Sequence, residues 1–276
     1  MGEFAKASNS MSVAIGRSAN STGSQALGLG FVAYATGNNS TALQRGLASG
    51  ADSLTANITN NTTSYGASGA NAIAMGYQAK ATGQYAFAMG YQTTATAHSS
   101  IAMGFTAAST GSQSIAIGTT SSASNTESIA IGDATCSGAN AIAIGDSASA
   151  TATAATAIGQ FAKADAVRSF ALGTFTDTQG IRGKYCYSGH SISGNNDGAS
   201  QQGKYVLTKA TTDATATAIT TNASTASSNN QVTLSNNSAY AFHGTIVARE
   251  QAADGTDCAA WKVEGLIRRE ASASTT

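Results

Sequence analysis

The side chains in this 276-residue chain that could carry chemistry are few: fourteen carboxylates, three histidines and three cysteines. Cleavage of a glycosidic bond needs two carboxyl groups about 5 to 10 Å apart in a cleft. Asp133 and Asp146 each follow an Ile-Ala-Ile-Gly tetrad in neighbouring copies of a repeat, which sets them one step apart if the copies stack. A pair on an exposed turn lacks a cleft, so the plainer reading is two solvated surface carboxylates. The glycines form neither a nucleophile elbow nor a phosphate-binding loop, and no catalytic, metal or cofactor-binding residue is assigned.

Cys136, Cys186 and Cys258 are odd in number and far apart, whereas zinc takes about four clustered ligands. The expectation is three free thiols, with a Cys186–Cys258 bridge as the alternative. His98, His190 and His243 could each hydrogen-bond a receptor or a neighbouring subunit. The plainer assignment puts His98 and His190 on the surface and leaves His243 satisfied within an apolar strand. Tyr77, Tyr91 and Phe105 recur at one position of three consecutive repeats. Such a column could grip sugar rings, or the rings could stack on one another.

What would position any of these groups is a period. Gly76, Gly90, Gly104, Gly118 and Gly132 are fourteen residues apart, and each closes a tetrad such as Ile115-Ala116-Ile117-Gly118. The step shortens by one before Gly145 and then returns to fourteen through Gly159 and Gly173. Upstream, Gly2, Gly16 and Gly30 keep it, so the chain begins inside a repeat, as a fragment or as a roll without its N-terminal cap. A unit this short cannot bury an apolar face alone, so copies must stack into a continuous core. Gly30 and Gly76 are forty-six residues apart, and residues 57–63, rich in Asn and Thr, read as a bulging loop between them.

Counted from the closing glycine, the residues three and one before it are bulky, as in Ile73/Met75, Phe87/Met89 and Ile101/Met103, and the one between is alanine. Alternation of period two separates the bulky pair and the alanine onto opposite faces of a short strand. Small residues three and five after the glycine, such as Ala79/Ala81 and Ala148/Ala150, predict a second short strand facing the bulky pair across a thin interior. The alanine column then points out of the coil, where something must approach closely. Gly23, Gly37, Gly83 and Gly111, seven after the closing glycine, mark a second turn of tight or left-handed backbone. The lack of proline suits a ladder in which every coil donates and accepts. A dozen coils would make a rod of roughly 55 to 60 Å.

The tetrads Ser114-Ile115-Ala116-Ile117-Gly118 and Ser128-Ile129-Ala130-Ile131-Gly132 resemble the head repeats of trimeric autotransporter adhesins, which also occur in bacteriophage tail fibres. The resemblance covers about residues 2–180. It implies an all-β fold: residues 1–180 form a trimeric left-handed parallel β-roll, three chains around one axis, with the small central residue of each tetrad at the subunit contact. In residues 181–276 the repeat is gone, and a small antiparallel β domain is expected. There, 182–187 and 204–207 read as strands around a Gly/Ser/Asn loop, and 239–250 and 258–270 as a hairpin joined across Asp254-Gly255. This second part looks like modules that follow such repeats in phage fibre proteins. Its sheet is completed by residues past Thr276, by another subunit, or not at all.

The chain has no net charge and is only 10% charged, which removes the electrostatic case for nucleic acid or an anionic membrane. No apolar run approaches a membrane span, and no signal peptide precedes the first repeat. Calcium-binding nonapeptide coils place aspartates periodically, and these columns hold alanine and serine, so no calcium is expected. Ice binding would need Thr-x-Thr ladders in one column, and Thr94-Ala95-Thr96 and Thr151-Ala152-Thr153 do not recur that way. The first expectation is therefore a non-enzymatic structural fibre protein of a bacteriophage virion. It would be a homotrimer whose roll is the shaft and whose C-terminal domain caps it or attaches, with other virion or appendage proteins and a cell-surface glycan or protein receptor as partners. The alternative is the passenger head of a trimeric autotransporter adhesin on a bacterial surface.

Overall fold

A computed structural model describes residues 2–56, 64–191, 198–213, 215–250 and 257–271, in two compact units, Met1–Asn230 and Gln231–Thr276. In the first, thirteen short strands from Val13–Ile15 to Tyr185–Ser188 stack in parallel, with Ile73 on Phe87, Phe87 on Ile101 and Ile101 on Ile115. Shorter strands such as Lys80–Ala81, Thr94–Ala95 and Ala108–Ser109 stack into the opposite wall. Each coil is strand, turn, strand, turn. Backbone bonds join it to the next: the Phe87 N–H donates to the Ser100 carbonyl at 2.9 Å, and the Ile101 N–H to that of Ser114 at 2.9 Å. This is the parallel solenoid that the fourteen-residue period predicts.

The two faces of the tetrad strand are the reverse of expectation. Ala74, Ala88, Ala102, Ala116, Ala130, Ala143 and Ala157 have no exposed surface. They pack inside the coil with the alanines of the opposite wall, such as Ala79, Ala81 and Ala95. The flanking isoleucines, methionines and phenylalanines point outward, and none is buried within the single chain. The cause is the width of the coil: its walls are joined by short turns, and the gap between them holds methyl groups and little else. The alanine column therefore lies at the chain's own core, not at a subunit contact. Serines in the position before each bulky pair satisfy themselves locally, as Ser100, Ser114 and Ser128 donate to carbonyls three residues back at 2.6–2.7 Å.

The turns also divide the glycines differently. The closing glycines have φ between 102° and 134°, and a Cβ on Gly104 would lie 2.2 Å from the carbonyl oxygen of Gly118. They need both the left-handed backbone and the missing side chain. The glycines seven residues on do not have positive φ; a Cβ on Gly37 would meet the Gly50 carbonyl oxygen at 2.1 Å, so close stacking alone selects them. The left-handed residues lie two and nine after the closing glycine and carry side chains, for example Gln92 (φ 51°) and Ser99 (φ 54°). The shortened coil after Gly132 lacks the first of these: Asp133 passes straight to Ala134, and the register shifts between Asp133 and Thr135. A nineteen-residue step separates Leu54 from its partner Ile73; the expected bulge at 57–63 falls within it, outside the described residues.

The ladder takes one strand more than the glycine period. Tyr185–Ser188 pairs in parallel with Phe170–Gly173, which puts Cys186 in the alanine column, and in antiparallel with Gln202–Lys204. Of the strand expected at 204–207, only its first residue is extended pairing. Lys184, where other coils hold Ser or Ala, is 1% exposed. Its Nζ donates to the Asp177 carbonyl at 3.1 Å and to Gln179 Oε1 at 2.7 Å, so a polar plug closes the alanine core at this end. In the second unit, Ser238–Arg249 and Cys258–Arg269 pair in antiparallel along twelve residues; the Asp254-Gly255 turn lies outside the described residues.

Candidate functional site

The roll has two broad outer faces, and they differ in chemistry. Beside the second-wall strands stand Lys80, Thr94, Ala108, Ser122, Thr135, Ser149 and Lys163 in register, a small and polar stripe. Beside the tetrad strands run two bulky columns: Ile73, Phe87, Ile101, Ile115, Ile129 and Ile142 in one, and Met75, Met89, Met103, Ile117, Ile131 and Ile144 in the other. Parallel register carries both columns over thirteen strands, roughly 58 Å at about 4.8 Å per step, with Thr41 and Thr156 interrupting the first and Ala56 the second. Near the N-terminal end Val13 and Ile15 are 44% and 48% exposed, and near the other end Tyr187 is 50% exposed. An apolar stripe that runs without a break from Ile73/Met75 to Ile142/Ile144 and resumes toward both ends exceeds what the surface of a soluble monomer ordinarily shows, and marks a surface that meets another. This stripe is the candidate site. Alternation in the sequence located its residues, but placed them inside.

The aromatic column is built as like-on-like stacking. Tyr77 and Tyr91 have ring centroids 4.9 Å apart, and Tyr91 and Phe105 4.8 Å, with planes within 9° of parallel. Those ring faces are occupied by each other, so edges and the two end faces are what the column offers a ligand. Asp133 and Asp146 are register partners, one ladder step apart as expected. Both are exposed; Asp133 accepts from the Thr120 hydroxyl, and Asp146 from Gln160 Nε2 at 2.9 Å. His98 is exposed, edge-on to Tyr85. His190 is exposed too, and so is His243, which stands opposite Glu264 on the hairpin instead of inside a packed strand.

All three cysteines are free, with Cys136 and Cys186 buried and Cys258 exposed. Burial pushes the Cys186 thiol up to about 11, and raises that of Cys136 as well. Neither suits a nucleophile. The densest group of charges, Lys163, Asp165, Asp177 and Lys184, sits at the end of the roll, where Lys163 lies 3.3 Å from Asp165 and 3.4 Å from Asp177. Burial opposes the charge on Asp165, yet the Gly180 N–H and the Thr178 hydroxyl, each at 2.8 Å, together with Lys163 hold its carboxyl below the usual range. Burial lowers Lys184. Every member is engaged in closing the last coil. Among the described residues no three His, Cys, Asp or Glu side chains converge as metal ligands, and no helix is long and apolar enough to cross a membrane.

Residues 21–43, 67–93, 81–107, 109–135, 137–162 and 150–176 match the family described as YadA head domain repeat (2 copies). Successive matches at 67 and 81 start fourteen residues apart, the height of one coil, and together the segments span just under half of the chain. Such repeats form the heads of trimeric autotransporter adhesins, surface structures that are not enzymes. No curated protein matches the chain.

Proposed function

We propose that this chain is the head of a trimeric adhesin exposed on a bacterial cell surface, a rigid and non-enzymatic rod. The observation that carries the reading is the pair of bulky columns left uncovered along the roll while its interior is filled with alanine. Three copies facing one another through these columns would bury Ile, Met and Phe along a shared axis and turn the polar stripes, with Lys80, Thr94 and Lys163, toward a host or matrix surface. Stability would then come from backbone ladders within each chain and apolar burial between chains. The matched repeats, typical of trimeric adhesin heads, support the same number of copies. A virion fibre, the first expectation from sequence, draws no support from that match.

Sedimentation velocity at micromolar concentration tests the assembly: the expected species has three times the 27.3 kDa chain mass, and a single-chain species overturns it. Adhesion is tested separately, by measuring retention of the assembled protein on immobilised matrix proteins and on host cells. Assembly without retention on either would leave a trimeric rod and remove the adhesive role.

A further inference from the structure

We draw no further inference here: the strongest candidate, the two-stranded ribbon of the second unit, exposes Phe242, Ile246 and Trp261 on one face and Val247 and Leu266 on the other, and nothing in the structure shows what covers either.

Discussion

Ala116 and Ile117 are neighbours on one strand with opposite surroundings, and exchanging their sizes tests the inside and outside of the roll. Ala116 is wholly buried, between Ala102 and Ala130 in the ladder. Ala116→Leu adds three carbons to a core lined by methyl groups, with no large neighbour to give way and both walls held by inter-coil bonds. Overpacking costs typically about 1–3 kcal/mol, and the upper end applies, which corresponds to a melting temperature about 6–12 °C lower for a unit of this size. Ile117 is half-buried and faces outward. Ile117→Ala removes three carbons at about 0.8 kcal/mol per buried methylene. With the side chain already half covered in the single chain, about 1 kcal/mol per copy falls on the contact between chains, or ~3 kcal/mol over three, a roughly 100-fold weaker assembly. Circular dichroism melts and sedimentation across a concentration series separate the two. The leucine variant should melt early at every concentration and still assemble; the alanine variant should keep its strand signal and dissociate on dilution. If Ala116→Leu dissociates a well-folded chain while Ile117→Ala leaves assembly untouched, the alanine column is the subunit contact and the faces assigned here are wrong.

Gly104→Ala should cost about 3 kcal/mol or more in urea unfolding, because φ is +125° and the new methyl would lie 2.2 Å from the Gly118 carbonyl oxygen; a wild-type midpoint would remove the close-stacking account. Ser121 Oγ is buried without a hydrogen-bond partner, in a column where its nearest counterparts are Ala107 and Ala134 and where Thr93 and Thr176 are the other hydroxyls, so Ser121→Ala should stabilise by about 1 kcal/mol. Ser114→Ala, which loses a 2.6 Å bond to the Gly111 carbonyl, should destabilise by about as much, and equal effects would count against the assignment. Thiol labelling at pH 8 should modify Cys258 alone in the native protein and all three cysteines after unfolding. Since the folded Cys186 thiol is raised to about 11 from 9.0, the unfolded thiol ionises first: the stability it contributes is whole below pH 9 and declines as pH rises toward 11. A second thiol reacting in the folded state, or a flat profile in that window for wild type relative to Cys186→Ala, would contradict the burial.

The period was enough to establish the coil, the parallel ladder and the length of the roll, because a repeat of fourteen admits one register: each residue over its own counterpart. It also located most of the candidate surface, though not Leu54 in the irregular stretch or Tyr185 and Tyr187 past the last glycine. Which side of the strand is inside was not legible, since alternation distinguishes two faces without naming them, and the deciding quantity is the gap between walls set by turns elsewhere in the coil. The left-handed positions escaped for a related reason: Gln92, Ser99 and Thr106 bear ordinary side chains, and the stacked turn imposes their backbone. In the C-terminal ribbon, the sequence marked two apolar runs, but each run alone mixes Phe242 and Ile246 with His243 and Thr245. Only the pairing of the strands, which sets Trp261 opposite Ile246 and Gly265 under Phe242, decides which side chains share a face: Phe242, Ile246, Trp261 and Val263 fall together, and Val247 and Leu266 fall on the other side with His243 and Lys262. Periodicity determines what repeats along a chain; distances across the fold determine what is enclosed.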